Sequence, residues 1–554
     1  MTPDSFPGRL LRAQTFTELL TARAAATPAA PMLIDASDQR LSFKDFNRYS
    51  ERTAASLSAQ GIGLGTRVAW QLPTRISTVI VMAALARLGA AQAPIIPLYR
   101  SRETGAAVAT AAAEFLLVPG TWRGTDFVEM ASGLPTRPKV VVVGESAPSA
   151  SDAEVAALPG PAAPAEWVYF TSGSSGLPKG ARHTDATLLA AAHGWTVQGR
   201  VGELDGDVGS MAFPVAHVGG IIYVMSQLIS GFPIVLAEAF DAATIDLFRR
   251  HTVTMSGGST VFYTALLAAQ RQFAAKFAET AETAETAETA ETAETGETDT
   301  SAGPAAGTVS AGSAGPRLLP SLRVLKGGGA PCPPAVYWAV RDEMGVTVAH
   351  DYGMTEVPMI CVASPRDTDE QLANSDGKPI PGNEVRIVDD SAVLPAGAEG
   401  EIQVRGAAVC HGYTDPSLDA DAFTADGWFR TGDRGRLRAD GHVEVTGRTK
   451  DLIIRKGEKI APLELETLLI QHPAVAEVAV VGLPDDERGE RVCAVLVTRS
   501  GASAPSLDEV SSFLRARGLM PQKLPEQVEI VSELPRTGLG KVAKLALRDK
   551  FSGS

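Results

Sequence analysis

The stretch Trp167-Val168-Tyr169-Phe170-Thr171-Ser172-Gly173-Ser174-Ser175-Gly176-Leu177-Pro178-Lys179-Gly180 decides how this 554-residue chain is read. Its opening apolar run predicts a buried strand, and residues 186–197 beyond it predict a helix. Small residues in between let backbone N–H groups approach an anion, hydroxyls add donors, and Lys179 adds charge, so the segment suits phosphate. It is not a Walker A loop, which needs Gly where Pro178 stands and Ser or Thr where Gly180 stands. A flexible Gly/Ser turn is the plain alternative; the uninterrupted run of matching residue types from Thr171 to Gly180 weighs against it.

Helices and short apolar strands alternate on both sides of this loop, which predicts layered α/β structure to about residue 360. Ser42 and Asp45 open an amphipathic helix that carries Phe46, Tyr49, Thr53 and Leu57 at helical spacing and stops at Gly61. Residues 140–143, all Val, predict a buried strand of the parallel-sheet kind. The uncharged stretch from Val218 to Ala237 has membrane-spanning length, but its Gly, Ser and Pro residues favour a buried helix followed by a core strand at 234–236. From 376 to 447 short strands at 384–388, 401–404 and 442–445 lie between Gly/Asp turns and predict a small β-rich, barrel-like subdomain. A last α+β segment follows, with strands at 478–481 and 492–497 and a helix capped at Ser506. The expected division is a large domain over 1–447 and a small one over 448–554. Between 277 and 316, Ala-Glu-Thr triplets give way to Gly/Ser/Ala/Pro. With nothing apolar to bury, this acidic insertion is expected to be disordered, and a functionless repeat expansion is its plainest explanation.

Composition adds bounds. The chain is 45% hydrophobic and 21% charged, enough for more than one core. Its net charge is −14, and removing the seven Glu and one Asp of residues 279–300 leaves −6. That argues against nucleic acid as a partner. Cys332, Cys361, Cys410 and Cys493 are scattered without metal-ligand spacing and read as buried apolar residues in a reducing compartment. No apolar signal-peptide core follows Met1, so a cytoplasmic protein without a membrane span is expected.

The loop resembles the signature of the adenylate-forming superfamily: acyl- and aryl-CoA synthetases, luciferases and peptide-synthetase adenylation domains. Further motifs of that family appear in its order. Gly327-Gly328-Gly329-Ala330-Pro331 resembles the adenine-side turn. Asp351-Tyr352-Gly353-Met354-Thr355-Glu356 resembles the motif whose aromatic stacks on adenine and whose Glu holds Mg²⁺. Asp433, in Gly427-Trp428-Phe429-Arg430-Thr431-Gly432-Asp433, and Arg448, in Gly447-Arg448-Thr449-Lys450-Asp451, match the ribose-binding Asp and Arg, with Lys450 at the interdomain hinge. Leu534-Pro535-Arg536-Thr537-Gly538-Leu539-Gly540-Lys541 matches the segment of the C-terminal lysine. Singly, Asp433 reads as a turn former, Arg448 as a surface ion pair, Lys541 as an exposed loop lysine and Tyr352 as a core aromatic. In series they read as a site.

The resemblance implies ATP, Mg²⁺ and a small carboxylic acid as ligands. Attack of a carboxylate on the α-phosphorus of ATP needs negative charge offset there and on the departing pyrophosphate. Lys541 supplies a point charge for the α-phosphate, Mg²⁺ on Glu356 offsets more, and Thr171, Ser172, Ser175 and Lys179, with Gly173, Ser174 and Gly176, hold the outer phosphates. Pro214-Val215-Ala216-His217-Val218-Gly219-Gly220 resembles the motif whose His stands beside the substrate carboxylate; a satisfied core histidine is an equally good reading of His217 alone. Gly257, Gly258 and Gly327 to Gly329 would admit a compact ring or short chain.

The family also implies rotation of the small domain about Lys450 and transfer of the acyl group to coenzyme A, with Gly457 giving close approach to a pantetheine arm. Around Gly457 this chain has Arg455-Lys456-Gly457-Glu458-Lys459 where Gly-Gly-Glu-Asn is commoner. Texture at 97–100, 119–124 and 353–359 resembles ligases of cyclohexanecarboxylate and medium-chain acids. Residues 457–461 resemble stand-alone aryl-acid ligases, and Val218 in place of Asn argues against an ortho-hydroxy acid. Loading of a carrier protein, ATP-dependent diazotisation of an aryl amine with nitrite, and an inactive scaffold are the alternatives; intact Lys541 and Glu356 weigh against the last. The acid and the oligomeric state are left open by the sequence.

Overall fold

The computed structural model describes residues 10, 12–156, 158, 164–172, 178–294, 316–390, 392–455, 458–485, 488–537 and 541–552, with side chains of 172, 281–294 and 458–459 excluded. Two largely parallel sheets build the first part of the chain. One has six strands in the order Pro178–Thr184, Glu166–Ser172, Ala91–Pro94, Arg67–Trp70, Phe115–Val118, Lys139–Val142. The other has seven, in the order Thr347–Asp351, Val324–Gly328, Met255–Gly257, Gly209–Met211, Ile234–Leu236, Pro31–Ile34, Arg40–Ser42. Helices such as Ile76–Arg87 and Val218–Ser230 are buried almost along their whole length, which explains why Val218–Ser230 is apolar enough to mimic a membrane span. Among the described residues no helix is long and apolar enough to cross a membrane.

The amphipathic helix is Phe43–Ala59, capped by Ser42 accepting from the Asp45 N–H. The valine run forms Lys139–Val142, parallel to Phe115–Val118 but at the sheet's edge, so Val142 is 52% exposed where a buried strand was expected. The β-rich region is a five-stranded antiparallel sheet of Ala392–Val393, Asn383–Asp389, Glu399–Gly406, Phe429–Leu437 and Val443–Arg448. A single 3-10 turn, Thr449–Asp451, leads from it to a further sheet built on the long hairpin Val475–Asp485 and Gly489–Thr498, which Gln527–Ile530 extends. The capping box expected at Ser506 opens Leu507–Ala516. Apolar residues of this last part, such as Ile453, Leu465, Val480 and Leu496, cluster apart from those of the two large sheets.

Two expectations change. The phosphate loop does not run from strand to helix: Glu166–Ser172 and Pro178–Thr184 pair antiparallel, Thr171 opposite Lys179, and the helix Asp185–Gln198 starts only after the hairpin. The helix N-terminus at Thr184 therefore follows the second strand of the hairpin. The helix Thr260–Glu294 runs well into the acidic insertion expected to be disordered. Ala and Glu are strong helix formers, and propensity continues a helix already anchored at Tyr263, Leu266 and Leu267 even without an apolar face to bury.

Candidate active site

The ends of Met255–Gly257, Val324–Gly328 and Thr347–Asp351, neighbours in the seven-stranded sheet, crowd together. Three glycines permit the approach. A Cβ on Gly328 would stand 1.8 Å from the Asp351 carbonyl oxygen, one on Gly327 2.3 Å from that of Gly258, and one on Gly353 2.1 Å from that of Pro358. Beyond Gly328 the chain turns through exposed Gly329, at φ +92°, into Ala330 and Pro331, whose carbonyls accept from Thr260 Oγ1 at 3.4 and 2.8 Å.

Asp351 ends its strand fully buried. Its carboxylate accepts from Trp195 Nε1 at 2.6 Å, from Lys326 Nζ at 3.0 Å and from the Ala363 N–H at 3.0 Å. The side chain is thus committed inward, to Trp195, Lys326 and Ala363. Its neighbour Tyr352 donates to Asp433 Oδ2 at 2.7 Å, and Arg448 Nε donates to Asp433 Oδ1 at 3.1 Å. Burial raises the Asp433 pKa; Arg448, the Tyr352 hydroxyl and Lys541 oppose it. Each carboxylate oxygen has further acceptor capacity.

Met354 and Val357 close a tight turn by mutual backbone hydrogen bonds. It presents Glu356, whose buried Oε1 accepts from Tyr413 at 2.8 Å. Burial raises the Glu356 pKa, while Tyr413, Lys179 and Arg448 favour its charge. Lys179 Nζ lies 5.5 Å from the centroid of the Tyr413 ring. His183 bonds the Thr355 carbonyl through Nε2 at 2.8 Å and Thr187 Oγ1 through Nδ1 at 3.0 Å. Burial holds its pKa down at about 4, so the neutral ring donates to Thr355 and pins the turn.

His217 caps the helix Val218–Ser230, its Nδ1 accepting from the Gly219 N–H at 3.1 Å. Desolvation, with help from Lys541, lowers its pKa to about 4. The neutral ring therefore carries its proton on Nε2. It borders a small cavity with Pro94, Ile96, Tyr99, Tyr169, Phe170, Ala216, Val218 and Thr355. Lys541 comes from the far end of the chain, yet its charge acts on Asp433, Glu356 and His217. The residue is solvent-accessible, but protein crowds its ammonium; that crowding and the Arg448 charge lower its pKa, against Asp433 and Glu356.

Thus Lys179 and Glu356 meet at Tyr413, Tyr352 and Arg448 meet at Asp433, Thr171 pairs with Lys179 across the hairpin, and the Lys541 charge acts on Asp433, Glu356 and His217. Lys450 stands apart, exposed on the 3-10 turn. Gly173, Ser174, Ser175, Gly176, Gly457 and the Ser172 side chain lie outside the described residues. Sequence reasoning missed Tyr413 and His183, which no local motif marks.

Among the described residues no group of three or more His, Cys, Asp or Glu could hold a metal ion. A buried carboxylate such as that of Glu356 does suit a divalent ion that keeps water and takes its other ligands from a nucleotide, as Mg²⁺ does.

Residues 20–414 match the family model for AMP-binding enzyme, and residues 464–541 that for the AMP-binding enzyme C-terminal domain. The chain is 28% identical over 545 residues to medium-chain fatty-acid–CoA ligase of Escherichia coli (strain K12), covering 95% of this chain and 88% of that one. It is 30% identical over 559 residues to salicyl-AMP ligase / salicyl-S-ArCP synthetase of Mycobacterium tuberculosis (strain ATCC 25618 / H37Rv), covering 96% and 90%. A solved structure of o-succinylbenzoate coenzyme A synthetase from Bacillus subtilis, in complex with ATP and magnesium ion, superposes with a TM-score of 0.74 at 26% identity over 96% of this chain and 99% of that one. With its α/β fold and the cleft described above, this chain belongs to the AMP-binding enzyme family, the adenylate-forming ligases.

Proposed function

We propose that the protein joins a small or medium organic carboxylic acid to AMP, releasing pyrophosphate from ATP, and passes the acyl group to coenzyme A. The single observation that best supports this is that the charge of Lys541, from the far end of the chain, acts on Glu356, Asp433 and His217. In the first step a carboxylate oxygen attacks the α-phosphorus and the bond to pyrophosphate breaks. Lys541 offsets charge at the α-phosphate, and residues 171–176 with Lys179 hold the outer phosphates. Glu356 would hold Mg²⁺, which supplies further charge neutralisation when bound. Tyr352 stacks on adenine against 329–331, with Gly353, Met354 and Thr355 shaping the turn; Asp433 and Arg448 take the ribose hydroxyls. His217 Nε2–H suits a hydrogen bond to the acid's carboxylate. In the second step a thiolate attacks the acyl carbon and AMP leaves. For this step we assign the hinge to Lys450, at the boundary between 1–447 and 448–554, and the approach to pantetheine to Gly328 and Gly457.

Loading of a carrier protein is the second reading, favoured by the similarity to salicyl-AMP ligase / salicyl-S-ArCP synthetase. A panel of alicyclic, aromatic and medium-chain acids with ATP, with and without CoA, read by mass spectrometry, separates the two. Acyl-CoA supports the proposal. Acyl-AMP that accumulates unchanged with CoA present refutes the CoA half, and no acid-dependent AMP product refutes the whole.

A further inference from the structure

Residues 410–414 form a strut between two halves of the cleft that local sequence does not connect. On one side the segment is stitched to the phosphate hairpin: the His411 N–H donates to the Arg182 carbonyl at 2.7 Å, the Arg182 N–H to Gly412 at 2.9 Å, and the Thr414 N–H to Gly180 at 2.8 Å. On the other side the Cys410 N–H donates to the Glu356 carbonyl at 2.9 Å. Two glycines make the stitching possible. A Cβ on Gly180 would stand 2.9 Å from Thr414 Oγ1, and Gly412, at φ +84°, sits against the Asp419 carboxylate that accepts from the Tyr413 N–H. Tyr413 itself is 6% exposed, with no room to swing.

From this fixed backbone one side chain reaches both charged groups. The Tyr413 hydroxyl donates to Glu356 Oε1, and the Lys179 ammonium lies over the Tyr413 ring. A hydrogen bond to one carboxylate oxygen fixes how a ligating carboxylate faces its ion, and a ring face attracts an ammonium. We propose that Tyr413 is a positioning residue that holds Lys179 and Glu356 in register, so that binding of nucleotide phosphates and of a divalent cation are coupled through it. This rests on the nucleotide reading above and deepens it.

The test uses the full chain, a non-hydrolysable ATP analogue and Mn²⁺ as a spectroscopic probe of the cation. Tyr413→Phe keeps the ring and loses the hydroxyl. It is expected to weaken Mn²⁺ binding to the protein–nucleotide complex about 10- to 100-fold, and to leave analogue binding in EDTA within about twofold of the unmodified protein. Tyr413→Leu removes the ring as well and is expected to weaken analogue binding in EDTA too. Tyr413→Phe that binds Mn²⁺ normally overturns the proposal, and so does a loss of metal-free analogue binding by Tyr413→Phe equal to that of Tyr413→Leu. The near-isosteric Phe variant keeps the question decidable if the Leu variant fails to fold. Unmodified protein that binds no analogue would overturn the nucleotide reading itself, a different result from an indifferent Tyr413→Phe.

Discussion

Lys326 and Asp351 form a buried ion pair, Nζ to Oδ1 3.0 Å, between adjacent parallel strands directly behind the turn that carries Tyr352 and Glu356. Lys326 donates also to the Ala363 carbonyl, and Asp351 accepts also from Trp195 and Ala363, so both charges are satisfied. Burial lowers the lysine pKa and raises the aspartate pKa, and each partner opposes the other's shift. Removing one partner leaves the other as an uncompensated buried charge. Lys326→Met is expected to lose about 3–5 kcal/mol of stability. Lys326→Met combined with Asp351→Leu should recover much of that loss. Chemical denaturation of the two variants checks this, and equal losses in both would refute it.

Lys541 carries the adenylating charge in the proposed mechanism, and its pKa is lowered by crowding and by Arg448. A lowered lysine pKa means that the ammonium is lost at a lower pH than usual. Acid-dependent pyrophosphate release is therefore expected to fall on an alkaline limb that lies below the ordinary lysine value of about 10.4. Lys541→Ala should reduce that release by about 10²–10³-fold, the range seen when one transition-state charge contact is removed. It should spare thioester formation from preformed acyl-AMP. Steady-state pyrophosphate assays across pH check the limb; release unaffected by Lys541→Ala would refute the role.

What was legible in the sequence follows the reach of each cause. Glu356, Asp433 and Lys541 were singled out by motifs standing in family order, and in the structure the Lys541 charge acts on the other two. The hairpin was misread because Pro178-Lys179-Gly180-Ala181-Arg182-His183-Thr184 has no alternating apolar pattern. Its strand character comes from pairing with Glu166–Ser172 and from residues 411–414, far along the chain. Asp351 stood in a binding motif, and nothing local shows that Lys326 and Trp195 claim its carboxylate. Tyr413 and His183 reach the Thr355–Glu356 turn across 57 and 172 residues of chain.

His183 and His350 are both buried and held neutral, with pKa values pushed down to about 4 by desolvation. In the unfolded chain a histidine titrates near 6.5. Below that value unfolding takes up protons that the native state refuses, so stability is full above pH 6.5 and is lost as pH falls from 6.5 towards 4. Each histidine contributes a slope of about 1.4 kcal/mol per pH unit in that window. Calorimetric melting between pH 7 and 4 should show the fall, and His350→Gln should make it shallower. A melting temperature independent of pH across this range would contradict the assignment.

Gly328 ends its strand opposite Asp351 on the neighbouring parallel strand. A Cβ there would lie 1.8 Å from the Asp351 carbonyl oxygen, and that atom is backbone, unable to step aside as a flexible side chain would. Gly63 is the contrast: a Cβ on it meets nothing within 4 Å. Gly328→Ala is expected to cost about 3 kcal/mol or more, the upper range of overpacking, whereas Gly63→Ala should change stability by less than about 0.5 kcal/mol. Because the strain falls between the strands that position Tyr352 and the 329–331 turn, nucleotide binding should weaken in Gly328→Ala even at temperatures where the variant stays folded. Calorimetry with and without ATP separates the two effects. A Gly328→Ala variant with unchanged melting and unchanged ATP stabilisation would show that these strands can part without loss.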